Sequence, residues 1–228
     1  MTASPATAAL ALIPARGGSK GIPGKNLQDV GGIPLVGRSV QAALASRYVT
    51  RVVVSTDDDA IATAAKDHGG DVVRRPKAIA GDTASSESAL LHALEVLEVS
   101  GPLPAKLVFL QCTSPFTTAD QIDRVIAAVK PPAINSAFAV AAWHGFLWRA
   151  DGRGINHDPQ QPRQRRQDLE PAFLETGAIY AMDTDCFRRS KSRFCAPWQP
   201  VLIDSWHPEI DSPDDLSLCR ALAEMAQG

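Results

Sequence analysis

Residues 8–15 form an unbroken apolar run, and the chain passes from it straight into Arg16-Gly-Gly-Ser-Lys-Gly-Ile-Pro-Gly-Lys-Asn26. These eleven residues hold three cations (Arg16, Lys20, Lys25), four glycines and one hydroxyl. A short apolar run of this kind reads as a buried strand. A buried strand that opens into a glycine-rich cationic loop is built to hold a polyanion. Glycines let backbone N–H groups turn toward phosphate oxygens, and lysines neutralise charge during transfer. Two familiar loop types are excluded. A Walker A loop needs glycine where Ser19 stands and a hydroxyl residue where Asn26 stands, and G-x-G-x-x-G is absent.

The rest of the chain continues the alternation that such a loop requires. Helical spacing over residues 35–45 follows Pro34, a suitable helix start. The β-branched run 51–55 leads into Thr56-Asp-Asp-Asp59, which caps a helix over 60–68 that Gly69-Gly70 ends. A strand over 71–75, a helix over 85–99 capped by Ser85 or Ser86, a strand over 106–110 and a helix over 119–129 follow. This βαβα order predicts a three-layer, Rossmann-like α/β fold with a mostly parallel sheet and helices on both faces. Ligands of such sheets gather at the carboxyl ends of the strands, which puts Arg16, Thr56, Arg75 and Gln111 on one edge.

After Lys130 the pattern changes. Residues 136–142 and 146–149 predict a hairpin with Gly145 near its turn, and residues 151–167 are polar and basic. Strands over 176–182 and 200–203 and a helix over 213–225 close the chain. The expectation is one domain over residues 1–228 carrying a small β insertion at about 136–172.

Length and charge set further bounds. A chain of 228 residues can bury a core without disulfides or structural metal. A formal charge of −2 gives no support to bulk nucleic-acid binding or a polybasic membrane anchor. No apolar stretch is long enough to span a bilayer, and no basic residue precedes the first apolar run, so residues 1–9 do not read as a signal peptide. Cys112, Cys186, Cys195 and Cys219 show no C-x-x-C spacing and read as free thiols of a reducing, cytoplasmic compartment.

Three further clusters carry chemistry. Arg75 with Gly81-Asp-Thr-Ala-Ser-Ser86 offers donors, a cap and backbone amides for a base or ribose, and also reads as a plain helix cap. Gln111, at the end of the best strand, offers an amide to a substrate hydroxyl or carbonyl; its segment also reads as a turn ended by Pro115. Glu209 and Asp211 lie two apart, so an extended segment points both to one side, a geometry that can hold Mg²⁺. Asp214 and Asp215 suit the first turn of the closing helix. His144, His157 and His207 have no zinc spacing, and Trp143 and Trp148 read as packing or interface residues.

With these residues in place, the chain resembles the CMP-N-acylneuraminate synthetases (acylneuraminate cytidylyltransferases) and, more distantly, CMP-KDO synthetase. The matching stretches are residues 13–26, Val54-Ser-Thr-Asp57, Arg75-Pro76, Asp82-Thr-Ala-Ser-Ser86, Leu110-Gln with Thr113-Ser-Pro115, Arg166-Gln-Asp168, Gly177-Ala-Ile-Tyr180 and Glu209-Ile-Asp211. The resemblance implies a nucleotide-diphospho-sugar-transferase-like fold and transfer of CMP from CTP to a 2-keto-3-deoxy sugar acid, with release of pyrophosphate. It implies that Arg16, Lys20 and Lys25 act on the phosphates, with Gly17 at the same loop. Asn26, Arg75, Ala84 and Ser86 surround the cytidine. Gln111, Thr176 and Gly177 line the acceptor site. Asp211 with Glu209 holds Mg²⁺, with Mn²⁺ as an alternative. The insertion becomes the arm of a homodimer that delivers Arg166 to the sugar acid of the neighbouring site.

Three departures mark the acceptor half. Glu209 stands where the family often has Asp, and Thr176 where it often has Asn. The predicted hairpin has Trp148 near the place where some sialic acid enzymes carry a lysine. These departures keep two alternatives open: a cytidylyltransferase for another acidic acceptor, such as a KDO-like sugar or a phosphonate, and a catalytically silent nucleotide-binding subunit.

Overall fold

The computed structural model describes residues 8–203 and 208–226. His207 therefore lies outside the described residues, as do residues 1–7. The first strand, β1, spans Ala9–Pro14. A short ribbon of β2 (Asp29–Val30) and β3 (Ile33–Pro34) precedes α1 (Leu35–Leu44). Then come β4 (Val49–Thr56), α2 (Asp59–Asp67), β5 (Asp71–Arg74), α3 (Ser86–Glu98), β6 (Lys106–Leu110) and α4 (Ala119–Ala128). The second half supplies β7 (Ser136–Trp143), β8 (Ala172–Asp183), α5 (Thr184–Ser190), β9 (Trp198–Leu202) and α6 (Pro213–Met225).

Seven strands form one sheet in the order β5-β4-β1-β6-β8-β7-β9. Strand β8 runs antiparallel to both β6 and β7, and the other neighbouring pairs are parallel. The mostly parallel three-layer α/β architecture agrees with the sequence pattern. Chain direction along the sheet reverses at β1, which has β4 on one side and β6 on the other. The carboxyl ends of β1 and β6 therefore flank the crevice where α/β proteins bind ligands.

Alternation along β1 builds both cores. Ala9, Ala11 and Ile13 pack with α1, α2, α4 and α6, whereas Leu10 and Leu12 pack with α3 and α5. All five side chains are buried, and so are Leu90 and Leu94 of α3, which meet Leu10 and Leu12. Burial of a leucine contributes roughly 1.5–3 kcal/mol, so Leu94→Ala would cost about 2–5 kcal/mol. Apart from α1, which starts after Pro34, the α-helices start on side-chain caps. Asp58 accepts from Ile61 N, Ser85 from Ser88 N, and Thr118 and Ser212 form capping boxes with Gln121 and Asp215.

The expected hairpin is corrected. Residues 146–149 do not pair with β7. The outer half of β7 instead pairs with the start of β8, from Val140 opposite Glu175 to Trp143 opposite Ala172. Strand β7 ends because its next residues turn on local bonds: the Trp143 indole N–H donates to Gly145 O at 3.0 Å. The Asn156 side chain then donates to Gly145 O and accepts from Leu147 N. Trp148 keeps only an isolated bridge to Gly154. Helix α5, barely two turns long, is too short to show periodicity in the sequence.

Candidate active site at the strand ends

The glycine-rich loop is tied to its neighbours by backbone and carboxylate bonds. Ala15 N donates to Ser55 O at 3.0 Å, and Gly17 N donates to Asp57 Oδ1 at 3.0 Å. Gly17 has no room for a side chain, because a Cβ there would meet Asp58 Oδ2 at 2.8 Å. Gly24 adopts φ +59° and starts a single 3₁₀ turn, Lys25–Leu27, that presents Lys25 and Asn26. Asn26 Nδ2 donates to Arg16 O at 3.0 Å, so its Oδ1 is left as the acceptor it offers to a ligand.

Pro14, Arg16, Asn26, Arg75, Ala84, Ser85 and Ser86 line a cleft of about 160 Å³. The structure thus brings together every residue that the resemblance assigns to cytidine. Arg75 is buried and pinned: Nη2 donates to Ser55 O at 2.6 Å and Nε to Ser55 Oγ at 3.3 Å. Burial lowers its pKa; the Asp57 carboxylate opposes this, and the Arg16 charge adds to it. Ser85 caps α3, so the positive end of that helix opens at the cleft.

The three loop cations lie on carboxylates. Arg16 Nη1 donates to Asp82 Oδ1 at 2.9 Å, and Lys20 Nζ lies 3.1 Å from Asp82 Oδ2. Those contacts hold the Asp82 carboxyl below its ordinary range, the hydrogen bond from Lys20 contributing most. Lys25 Nζ donates to Ile210 O at 3.0 Å and to Asp211 Oδ1 at 3.2 Å. Residues 210–211 come this close because Gly21 has no side chain; a Cβ there would meet Asp211 O at 2.7 Å.

Beside them lies a second carboxylate. Thr113 Oγ1 donates to Glu209 Oε1 at 3.2 Å, and Ile210 N donates to Thr113 O. Burial raises the Glu209 pKa, and the Asp211 charge adds to it. Among the described residues, no group of three or more His, Cys, Asp or Glu is arranged to hold a metal ion. Glu209 and Asp211 supply hard oxygen donors, which suit a divalent ion that takes its remaining ligands from water and phosphate.

The expected acceptor residues meet at a break in the β7–β8 register. Between Phe138–Tyr180 and Val140–Glu175, β8 carries extra residues that bulge. Gly177 sits in that bulge at φ +71°. Gln111 Nε2 donates to Gly177 O at 2.7 Å and Gln111 N to Ala178 O, which anchors the end of β6 to the bulge. Thr176 is buried, and its hydroxyl donates to Ala139 O at 3.1 Å. Arg166 lies exposed in a 3₁₀ turn of the insertion and does not line the cleft. A larger cavity of about 470 Å³ also lies on the insertion, walled by Phe146, Trp148, His157 and Arg163, apart from the loop cations.

Sequence reasoning quoted Asp57 and Asp82 inside motifs but assigned them no contact. It read Asp58 only as part of a helix cap and quoted Thr113 only inside a motif. Asp82 carried a signal, being an acid next to the expected base site and in reach of an excess of cations.

A parallel-sheet crevice edged by a glycine-rich cationic loop defines a class, the nucleotide-binding α/β proteins. Comparison with known proteins makes it specific. The family model for cytidylyltransferase matches residues 10–141. The chain is 34% identical over 177 residues to the N-acylneuraminate cytidylyltransferase of Oncorhynchus mykiss, covering 75% of this chain but only 40% of that protein's length. It is 30% identical over 229 residues to the CMP-N,N'-diacetyllegionaminic acid synthase of Legionella pneumophila, covering 96% of this chain and 97% of that one. The solved structure of CMP:2-keto-3-deoxy-manno-octonic acid synthetase complexed with CTP superposes with a TM-score of 0.72 at 21% identity, over 96% of this chain and 99% of that one. The chain belongs to the cytidylyltransferase family, whose members are nucleotidyltransferases.

Proposed function

We propose that this protein transfers CMP from CTP to a nonulosonic acid and releases pyrophosphate. One observation carries the reading. Arg16 and Asn26 of the loop line one cleft with Arg75, Ala84 and Ser86, Lys20 shares the Asp82 carboxylate with Arg16, and Lys25 bonds Asp211 with the Glu209 carboxylate nearby. That arrangement supports a triphosphate laid over the loop, with cytidine in the cleft and Gly17 at the turn. The name and full-length match of the Legionella relative support a nonulosonic acid as acceptor.

In the proposed reaction the acceptor's 2-hydroxyl attacks the α-phosphorus in line, an O–P bond forms, and the bond to the leaving pyrophosphate breaks. The hydroxyl proton passes to solvent. This chain contributes position and charge: Arg16, Lys20 and Lys25 hold the tail and stabilise the charge that gathers on the leaving group. Asn26 and Arg75 fix the cytidine. Gln111 and Gly177, joined by one hydrogen bond, form the acceptor's floor, with Thr176 beneath it. Asp211 and Glu209 would hold Mg²⁺ or Mn²⁺, which supplies charge neutralisation at the phosphates.

The insertion at about 136–172 is proposed as the arm of a homodimer that presents Arg166 to the neighbouring site. Exposed Trp148, Ile155 and Phe173 on and beside that segment support an interface there. Cys112, Cys186, Cys195 and Cys219 are free thiols, which supports a cytoplasmic setting. No helix of the described residues is long and apolar enough to cross a membrane. A second reading keeps CTP and changes the acceptor to a KDO-like sugar or a phosphonate; the commitment of the Thr176 hydroxyl to Ala139 O favours it.

The test is mass spectrometry of products after incubation with CTP, Mg²⁺ and a panel of acidic sugars and phosphonates. A CMP conjugate of a nonulosonic acid, formed with equal pyrophosphate, is the expected result. A conjugate of another acid alone would select the second reading, and no conjugate from any acceptor would end both.

A further inference from the structure

We propose that Asp82 is a positioning residue, an internal anion that holds Arg16 and Lys20 together until the triphosphate tail displaces it. The inference rests on the cytidylyltransferase reading and deepens it. Arg16 and Lys20 belong to the loop after β1, whereas Asp82 belongs to the segment before α3. The Asp82 carboxylate uses one oxygen for each cation, at 2.9 Å and 3.1 Å. One of those cations, Arg16, lines the cleft with Ala84, Ser85 and Ser86, so Asp82 acts on the cleft through it.

Three features suit it to yield. Its side chain is 49% exposed, and that of Lys20 is 76% exposed, so the pair can open into water without uncovering core. Gly81, Asp82 and Thr83 form an exposed turn closed by the bond from Ala84 N to Gly81 O, and Ser85, three residues on, is fixed as the cap of α3. The Asp82 side chain can therefore turn into water from a backbone that stays in place. Its interaction with both partners is an exposed ion pair, which is weak and readily exchanged.

The exchange discriminates by charge. A triphosphate or pyrophosphate offers several anionic oxygens to the same two cations and outcompetes one carboxylate. The phosphodiester of a CMP conjugate offers fewer and does not. Asp82 thus opposes the tail of CTP on entry, and it recaptures Arg16 and Lys20 as pyrophosphate leaves. It costs affinity and speeds release of the leaving group.

The experiment is calorimetric binding of CTP, inorganic pyrophosphate and cytidine to the full chain and to its Asp82→Asn and Asp82→Ser variants, with thermal melts of each. Both variants should bind CTP and pyrophosphate about threefold to tenfold more tightly than the parent, with cytidine affinity unchanged. A residue that merely braced the loop would shift all three ligands toward weaker binding. Equal or weaker binding of CTP and pyrophosphate by variants that melt like the parent would overturn the role of Asp82 alone. A parent protein that binds neither CTP nor pyrophosphate would overturn the cytidylyltransferase reading as well.

Discussion

The Glu209 carboxylate occupies the place where a side chain on Gly177 would be. A Cβ on Gly177 would meet Glu209 Oε1 at 2.5 Å, and Gly177 also holds φ +71°. The β8 bulge and the carboxylate pair are thus shaped against each other, which links the proposed acceptor floor to the proposed metal ligands.

Gly177→Ala follows from that contact. The left-handed conformation costs an alanine roughly 1–2 kcal/mol, and the methyl group must push Glu209 away from Thr113. Turnover should fall about tenfold or more, since a small displacement of a positioned group carries a large rate cost. CTP affinity measured without a divalent ion should stay unchanged, because Gly177 does not line the cytidine cleft. Steady-state kinetics beside calorimetric CTP binding would check it; undiminished turnover would show that this packing is incidental.

Asn26→Ala acts on the other half. It removes the bond from Nδ2 to Arg16 O and the free Oδ1 acceptor at the cleft. Each lost hydrogen bond is worth roughly 0.5–1.5 kcal/mol, so the dissociation constant for CTP should rise about tenfold. A titration that gives the parent's constant would remove Asn26 from the cytidine site.

The Glu87–Arg193 pair supplies a pH signature. Arg193 Nε donates to Glu87 Oε1 at 2.6 Å, and its guanidinium lies 4.8 Å from the Phe109 ring centroid and 4.7 Å from that of Tyr180. Burial alone would raise the Glu87 pKa, but the Arg193 hydrogen bond and charge, helped by backbone N–H groups, bring it below the usual value. The folded state therefore favours the carboxylate. The stability it contributes is complete above the unfolded pKa and is lost as pH falls through the folded one. Glu87→Gln should cost about 2 kcal/mol near pH 7, or roughly 4–8 °C in Tm. That deficit should shrink between about pH 5 and pH 3. Melts across that range decide it; a deficit independent of pH would mean the pair acts only by packing.

The thiols should be silent in the native state. Burial pushes the Cys112 thiol up to about 12, and Cys195 and Cys219 are also buried. A thiol reagent should modify only Cys186, which is half-buried, at an appreciable rate, and all four cysteines after unfolding. Prompt modification of more than one native thiol would contradict this packing.

The sequence was most legible where periodicity and caps act together. The run 106–110 and the helix over 213–225 appear with the expected bounds, since the apolar residues 107–110 and a Ser-Pro start leave few alternatives. The partner of β7 was not legible. Pairing across almost 30 residues depends on which strand reaches the sheet, and the local bonds of Trp143 and Asn156 remove the nearer candidate. Of the residues proposed for cytidine, Arg75 was legible from the pattern because it directly follows the end of β5, whereas Asn26, Ala84 and Ser86 were assigned by the family resemblance. The bond between Asp82 and the loop cations, and the fit of Glu209 against Gly177, depend on side chains from segments far apart in the chain, and no spacing records them.

The central claim is that residues 16–26 grip the triphosphate of CTP while Asn26, Arg75, Ala84 and Ser86 receive its cytidine. A crystal structure of the protein soaked with CTP and Mg²⁺ tests it most directly. Arg16, Lys20 and Lys25 should lie on phosphate oxygens, Asp82 should be released from both of its partners, and the base should fill the 160 Å³ cleft. Nucleotide bound elsewhere, with those cations still on Asp82 and Asp211, would contradict the account.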